Sequence, residues 1–143
     1  MATKHVVCSF DYTNDGNYYR LLTAWNNNPN IDFHISDCTP KEIQTESVAV
    51  IKNVLSRKIG EAKYMIAIIG KHSNDLHKDH VEIGYRNWQA YEMAKNAEKS
   101  NGLVIVRLDS SYTVPEEAYG QGAEWVTGFS EDKIKKALDA LAK

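Results

Sequence analysis

The segment Tyr64-Met65-Ile66-Ala67-Ile68-Ile69-Gly70 is the most apolar run in the chain. A short apolar run without alternation is typical of a strand in a parallel sheet, because helices cover both faces of such a sheet. Two further runs of this kind are His5–Phe10 and Leu103–Leu108. The sequence therefore predicts three buried strands, with Tyr64–Gly70 at the centre of the sheet.

Segments with helical spacing of apolar residues lie between and after these strands. They contain Tyr18, Leu21, Leu22 and Trp25; Val48, Ile51, Val54, Leu55 and Ile59; Ile83, Ala90, Ala94 and Ala97 within about Glu82–Glu98; and Ile134, Ala137, Leu138 and Leu141. The alternating segment Ile31–Ser36 predicts a half-buried strand near a sheet edge, and Trp125–Val126 predicts a short last strand.

Polar residues mark where three of the helices should begin. Asn14 or Asp15 is the predicted cap of the first helix, Thr45 or Ser47 of the second, and Ser130 of the last. The alternation of strands and helices predicts one α/β domain over residues 1–143. We expect it to be doubly wound, with helices on both faces of a central, mostly parallel five-stranded sheet in a flavodoxin-like strand order.

The composition is that of an ordinary globular protein. The 143 residues are 43% hydrophobic and 25% charged, with a net charge of −2. This balance argues against disorder and against a basic nucleic-acid-binding protein. Because no run of eighteen apolar residues and no signal-peptide layout occur, we expect a cytoplasmic protein without a membrane partner. Cys8 and Cys38 are then expected to be buried thiols.

In a doubly wound sheet, ligands bind outside the carboxyl ends of the strands, where the strand order reverses. The predicted rim therefore consists of the residues that follow four strands: Ser9, Phe10, Asp11 and Tyr12; Asp37, Cys38, Thr39 and Pro40; Gly70, Lys71, His72, Ser73 and Asn74; and Asp109, Ser110, Ser111 and Tyr112. A cation, an imidazole and a hydroxyl at Lys71, His72 and Ser73 could meet a phosphate or a ribose.

Several classes of site lack their expected residues. The chain has neither G-x-G-x-x-G nor G-x-x-x-x-G-K-[ST], which disfavours a dinucleotide-binding redox domain and a P-loop NTPase. A phosphorylated receiver domain would carry an Asp where Gly70 stands. His72, His77 and His80 have no regular metal-ligand spacing, so we interpret them as part of a solvated loop and expect no metal.

Trp88-Gln89-Ala90-Tyr91-Glu92 is the last notable segment. Trp88 and Glu92 lie one above the other on a helix, away from the alanine stripe, and spacing alone indicates a surface Trp over a solvated Glu. Together with Val7-Cys8-Ser9-Phe10 and Ile66-Ala67-Ile68-Ile69-Gly70, however, the segment resembles TIR domains. It is most similar to the TIR-like branch of bacterial Thoeris anti-phage systems, over about residues 4 to 109.

This resemblance implies an enzyme that cleaves NAD between nicotinamide and ribose and makes an ADP-ribose-derived signal for a partner effector protein. It implies that Glu92 is catalytic and that Ser9 and Phe10 lie at the substrate cleft. Around the substrate we also expect Asp11, Tyr12, Asp37, Lys71, His72, Ser73 and Trp88. NAD is then a substrate, and no other cofactor is required. Since TIR sites are often completed by a neighbouring subunit, self-association is also expected.

Two other functions remain open at this stage. The first is a non-catalytic TIR-like module that signals through protein–protein contacts. The second is an enzyme similar to nucleoside deoxyribosyltransferases, which would need a nucleophilic Glu among acidic and aromatic residues. The long polar segment Asn74–Glu82 predicts a mobile flap over the cleft.

Overall fold

The computed structural model describes residues 4–31, 33–37 and 46–142. These residues form one five-stranded sheet: β1 (Lys4–Ser9), β2 (Phe33–Asp37), β3 (Lys63–Ile69), β4 (Gly102–Arg107) and β5 (Glu124–Thr127). The strand order is β2-β1-β3-β4-β5, and every neighbouring pair is parallel. This is the flavodoxin-like order, so the predicted fold is confirmed, with an entirely parallel sheet.

Helices cover both faces of the sheet. They are α1 (Tyr12–Thr23), α2 (Val48–Ala62), α3 (His80–Ile83), α4 (Trp88–Glu98) and α5 (Glu131–Leu141), and short 3₁₀ turns occupy Ala24–Asn27 and Glu116–Ala118. Buried residues of α1 and α5 pack on one face of the sheet, and those of α2, α3 and α4 pack on the other. None of the helices in the described part of the chain is long and apolar enough to cross a membrane.

Strand β3 shows why a central parallel strand is apolar throughout. Met65, Ala67 and Ile69 pack into the core beneath α2 and α4, whereas Ile66 and Ile68 pack into the core beneath α1 and α5. All five side chains are fully buried. Because successive side chains of a strand point to opposite faces, both faces of this strand need apolar residues.

The observed helix caps agree with the sequence at two positions and differ at one. The Ser47 and Ser130 side chains cap α2 and α5, as expected. Helix α1 begins earlier than predicted, because the Asp11 carboxylate accepts hydrogen bonds from the backbone N–H groups of Thr13 and Asn14. The predicted cap at Asn14 or Asp15 is therefore wrong, and Asp15 becomes a residue of the first helical turn. Thr45 and Cys38 lie outside the described residues, while Cys8 is a buried thiol.

The helix predicted over Glu82–Glu98 is two helices. Gly84 ends α3 in the left-handed region, at φ +83°, which glycine adopts without steric cost. Asn87 then starts α4, because its side-chain oxygen accepts a hydrogen bond from the N–H of Ala90 at 2.9 Å. Because residues 84–87 interrupt the helix, Ile83 and the alanines of α4 do not belong to one continuous helical stripe.

The buried face of α4 also differs from the predicted alanine stripe. Ala90 is buried, but Ala97 is exposed. The buried face contains instead Gln89, Tyr91, Glu92, Met93 and Asn96. The expectation that Glu92 points away from the core is therefore wrong.

Candidate active site

A large cleft lies at the carboxyl ends of β1 and β3, where the strand order reverses. Its volume is about 1160 Å³, somewhat above the usual range of about 300–1,000 Å³ for small-molecule sites. The lining residues come from the start of α1, the start of α2, the segment after β3 and the start of α4: Phe10, Asp11, Tyr12, Thr13, Asn14, Glu46, Val48, Ile51, His72, Asp75, Leu76, His77, Lys78, Asp79, Asn87, Trp88 and Gln89. The cleft thus lies where the topology of the sheet predicts a ligand site.

Five of the residues predicted to surround the substrate line this cleft. They are Phe10, Asp11, Tyr12, His72 and Trp88. Phe10 is held by stacking on Tyr19, with the ring centroids 4.8 Å apart and the planes 10° from parallel. Trp88 contacts Tyr91 and His77 edge to face, at centroid distances of 5.6 and 6.4 Å. The cleft therefore has aromatic walls whose rings are fixed by neighbouring rings.

Ser9 and Glu92 form a buried hydrogen-bonded pair beneath the cleft. The Ser9 hydroxyl donates to the Glu92 carboxylate, with 2.5 Å between Oγ and Oε1. Ser9 is 0% exposed and Glu92 is 1% exposed, and neither residue lines the cleft. The pair joins the end of β1 to the middle of α4.

Gln89 lies between the cleft and this pair. It lines the cleft and is one helical turn before Glu92 on α4. Its side-chain nitrogen donates to the carbonyl oxygens of Ile68 and Ser9, at 3.0 and 3.3 Å. Sequence reasoning missed Gln89, although it stands inside the Trp88–Glu92 segment, because its partners are 80 and 21 residues away.

The loop after β3 uses its predicted residues in different ways. Ser73 is buried: its hydroxyl accepts from the N–H of Gly70 at 2.9 Å and donates to the Ile68 carbonyl at 3.4 Å. It closes the turn instead of facing the cleft. His72 faces the cleft and is paired with Asp75 at 2.8 Å. Lys71 is exposed and is not among the lining residues.

Asp37 is the remaining predicted substrate contact. It is the last residue of β2, and its backbone lies beside Cys8 of β1 at the same edge of the sheet. The residues that follow it in the predicted rim lie outside the described part of the chain.

Asp15 is a second residue that sequence reasoning missed. Its carboxylate packs against Gly70 so closely that a side chain at position 70 would overlap it. It is 6% exposed, and Oδ2 has no hydrogen-bond partner among the residues that the structure describes. Burial, and to a smaller extent the nearby Asp11 carboxylate, raise the pKa of Asp15 to about 6 against the opposing effect of His72. Gly70 is therefore required at the end of β3 because Asp15 occupies the space.

The rim of the cleft is acidic. Carboxylates from Asp11, Glu46, Asp75 and Asp79 line it, against the single ammonium group of Lys78. Such a rim favours the positively charged part of a ligand. In the described residues no group of three His, Cys, Asp or Glu side chains could hold a metal ion.

Comparison with known proteins identifies the relatives of this chain. The family model described as "Thoeris protein ThsB, TIR-like domain" matches residues 7–113. A crystal structure of a 3-dehydroquinate dehydratase-like protein from Bifidobacterium longum is similar at 15% identity, over 99% of this chain and 96% of that chain, with a TM-score of 0.50. At this identity the likeness concerns the fold alone. No curated protein matches the chain.

Proposed function

We propose that this chain, which belongs to the TIR-like domain family of the Thoeris protein ThsB, cleaves NAD between nicotinamide and ribose. Family membership makes it a TIR-like defence protein, and the site supports the reaction. The observation that carries the proposal is the Ser9–Glu92 pair, which holds a carboxylate at the switch point of the sheet, beneath an aromatic cleft.

A carboxylate suits the chemistry of this bond. The bond between C1′ of the ribose and the pyridinium nitrogen breaks with its electron pair going to nitrogen, which releases neutral nicotinamide and leaves an oxocarbenium ion. The charge of Glu92 opposes this developing positive charge, as carboxylates do in glycosidases. Water then adds to C1′ and loses a proton, giving ADP-ribose, or a second group of the nucleotide adds and gives a cyclic product.

Several features of the cleft above the pair support NAD as the substrate. The nicotinamide ring is the only cationic part of NAD, and the acidic rim favours it. Phe10, Tyr12 and Trp88 offer ring surfaces for stacking with nicotinamide or adenine. His72 lines the cleft and can approach a ribose hydroxyl or a phosphate oxygen as a donor.

Access to Glu92 requires a change in the floor of the cleft. The carboxylate is 1% exposed and does not line the cleft, whereas Phe10, next to Ser9, and Gln89, one turn before Glu92, line it; we call these two residues the floor. We therefore expect turnover to require an opening of this floor, and self-association of the chain is the event that we propose for it. The product would act as the signal for a nucleotide-sensing effector protein.

The test compares Glu92→Gln with Glu98→Gln, an exposed carboxylate on the same helix. Each protein is incubated with NAD, at low concentration and under crowded conditions that favour self-association, and the products are separated by chromatography. Glu92→Gln keeps the shape and an acceptor for Ser9 but removes the charge. It should lower turnover on the order of a hundredfold to ten-thousandfold, whereas Glu98→Gln should retain parental turnover. Parental turnover in Glu92→Gln would contradict the assignment.

A non-catalytic interaction module is the second candidate, and the burial of Glu92 favours it. A buried carboxylate with a partner hydroxyl can have a purely structural role, in which their hydrogen bond fastens α4 to β1. In that case the parent protein shows no NAD consumption under any of these conditions, whereas sedimentation measurements still detect its self-association.

A further inference from the structure

We propose that Gln89 is a positioning residue for the Ser9–Glu92 pair. The proposal deepens the proposed function and rests on it: if Glu92 acts on NAD, Gln89 sets where Glu92 stands. Two side chains of α4 bind the same residue of β1, because Glu92 accepts from the Ser9 hydroxyl while Gln89 donates to the Ser9 carbonyl. Helix α4 thus holds Ser9 at two atoms, the hydroxyl oxygen and the carbonyl oxygen.

The second bond of Gln89 extends this hold to the neighbouring strand. Its nitrogen also donates to the carbonyl of Ile68, which lies next to the end of β3. One amide therefore bridges the ends of two parallel strands at the switch point. Strand ends lack the ladder hydrogen bonds of the strand interior, so their carbonyl groups need such partners. Without the bridge, the Ser9 backbone and its hydroxyl can turn away from Glu92.

The orientation of the amide follows from its partners. Both Ser9 O and Ile68 O are acceptors, so only the NH₂ group of Gln89 can face them. Gln89 is 6% exposed, and its replacement by an apolar residue leaves two carbonyls without this donor. This loss acts on the position of Ser9 directly, because one of the two carbonyls belongs to that residue.

Asn96 supplies the matched control. It lies two turns further along α4, is 0% exposed, and also donates its amide to backbone carbonyls, those of Asn101 and Gly102. The variants Gln89→Met and Asn96→Leu each replace a buried amide of α4 by an apolar side chain and so remove its bonds to backbone carbonyls. They differ in whether the bonds hold Ser9.

The test has two readouts. The first is the pH titration of the Glu92 side-chain carbon, measured by NMR on ¹³C-labelled protein and assigned by the signal that disappears in Glu92→Gln. Gln89→Met should change this titration, and Asn96→Leu should not. The second is NAD turnover, in which Gln89→Met should lower kcat on the order of a hundredfold with KM within about threefold, because displacement of a reacting group costs rate and not binding.

The outcomes separate this proposal from the proposed function. Equal changes in both variants would overturn the role of Gln89, since they would reflect general loosening of α4. Faster turnover in Gln89→Met would also overturn it and would make Gln89 a barrier to the cleft floor. An inert parent protein refutes the NAD-cleaving function, while the Glu92 titration still decides whether Gln89 positions the pair.

Discussion

Replacement of Asp15 by Asn should stabilise the protein at neutral pH, by an amount that depends on pH. The Asp15 carboxyl is 6% exposed, and its pKa rises from 3.8 to about 6, first because it is buried and second because Asp11 is near. A difference of one in pKa between the folded and unfolded states corresponds to about 1.4 kcal/mol. Keeping Asp15 ionised in the folded state therefore costs about 3 kcal/mol of stability once the pH is well above the folded pKa. Asn has nearly the same shape and no charge.

The direction with pH follows from the folded and unfolded states. The folded state binds the Asp15 proton more tightly than the unfolded state, so the parent protein loses stability as the pH rises from about 4 to about 6. Integration over the titration predicts that the advantage of Asp15→Asn is about 1 kcal/mol at pH 4.5 and about 3 kcal/mol at pH 8. The difference of about 2 kcal/mol between the two pH values does not depend on contacts that the amide itself gains or loses.

Urea unfolding of the parent protein and the variant at pH 4.5 and pH 8 measures this difference. Asp132→Asn, at an exposed position of α5, is the control for the general effect of removing a carboxylate. A gain for Asp15→Asn that is equal at both pH values would refute the reasoning, because it would mean that the Asp15 carboxyl titrates alike in the folded and unfolded protein.

Two further predictions concern the segment after β3. Gly70→Ala should destabilise the protein by about 1–3 kcal/mol, because the new methyl group overlaps the Asp15 carboxylate. The loss should shrink in an Asp15→Ala background, and equal losses in both backgrounds would contradict this contact. Asn87→Ala should cost about 1–2 kcal/mol, because Asn87 caps α4 and donates to the carbonyls of Ser73 and Asp75, each at 2.8 Å. Amide exchange within Asn74–Glu82 should accelerate in this variant, and unchanged exchange would show that Asn87 does not hold the segment.

Much of the fold follows from the sequence because buried parallel strands leave a strong pattern. The run at Tyr64–Gly70 identifies β3 to within one residue at each end, since both faces of the strand enter a core. Helices α3 and α4 show the limit of such patterns, because helical spacing predicts them as a single helix. Their separation depends on Gly84 and on the contacts that Asn87 makes to the preceding loop, and helical spacing does not record these contacts.

The sequence predicts where the candidate site lies, but it predicts only some of the residues that form the site. The rule for parallel sheets selects the ends of β1 and β3, and Phe10, Asp11, Tyr12 and His72 do line the cleft found there. Spacing assigns a Glu beside an alanine stripe to solvent, yet Glu92 is buried because the Ser9 hydroxyl meets it from 83 residues away. A partner at that distance leaves no local signal in the sequence.

The buried carboxylates at this edge of the sheet relate the free-energy cost of burying a charged group to function. Two carboxylates, Asp15 and Glu92, lie buried at the ends of the central strands, where an apolar residue of similar size would be cheaper to bury. For Asp15 burial is the main cause of the raised pKa, as expected for a carboxylate removed from water. Residues of this kind are enriched at functional sites, where charge must be held in a fixed place. Both carboxylates lie at the switch point and not in a remote part of the core, and the switch point is where open parallel sheets bind their ligands.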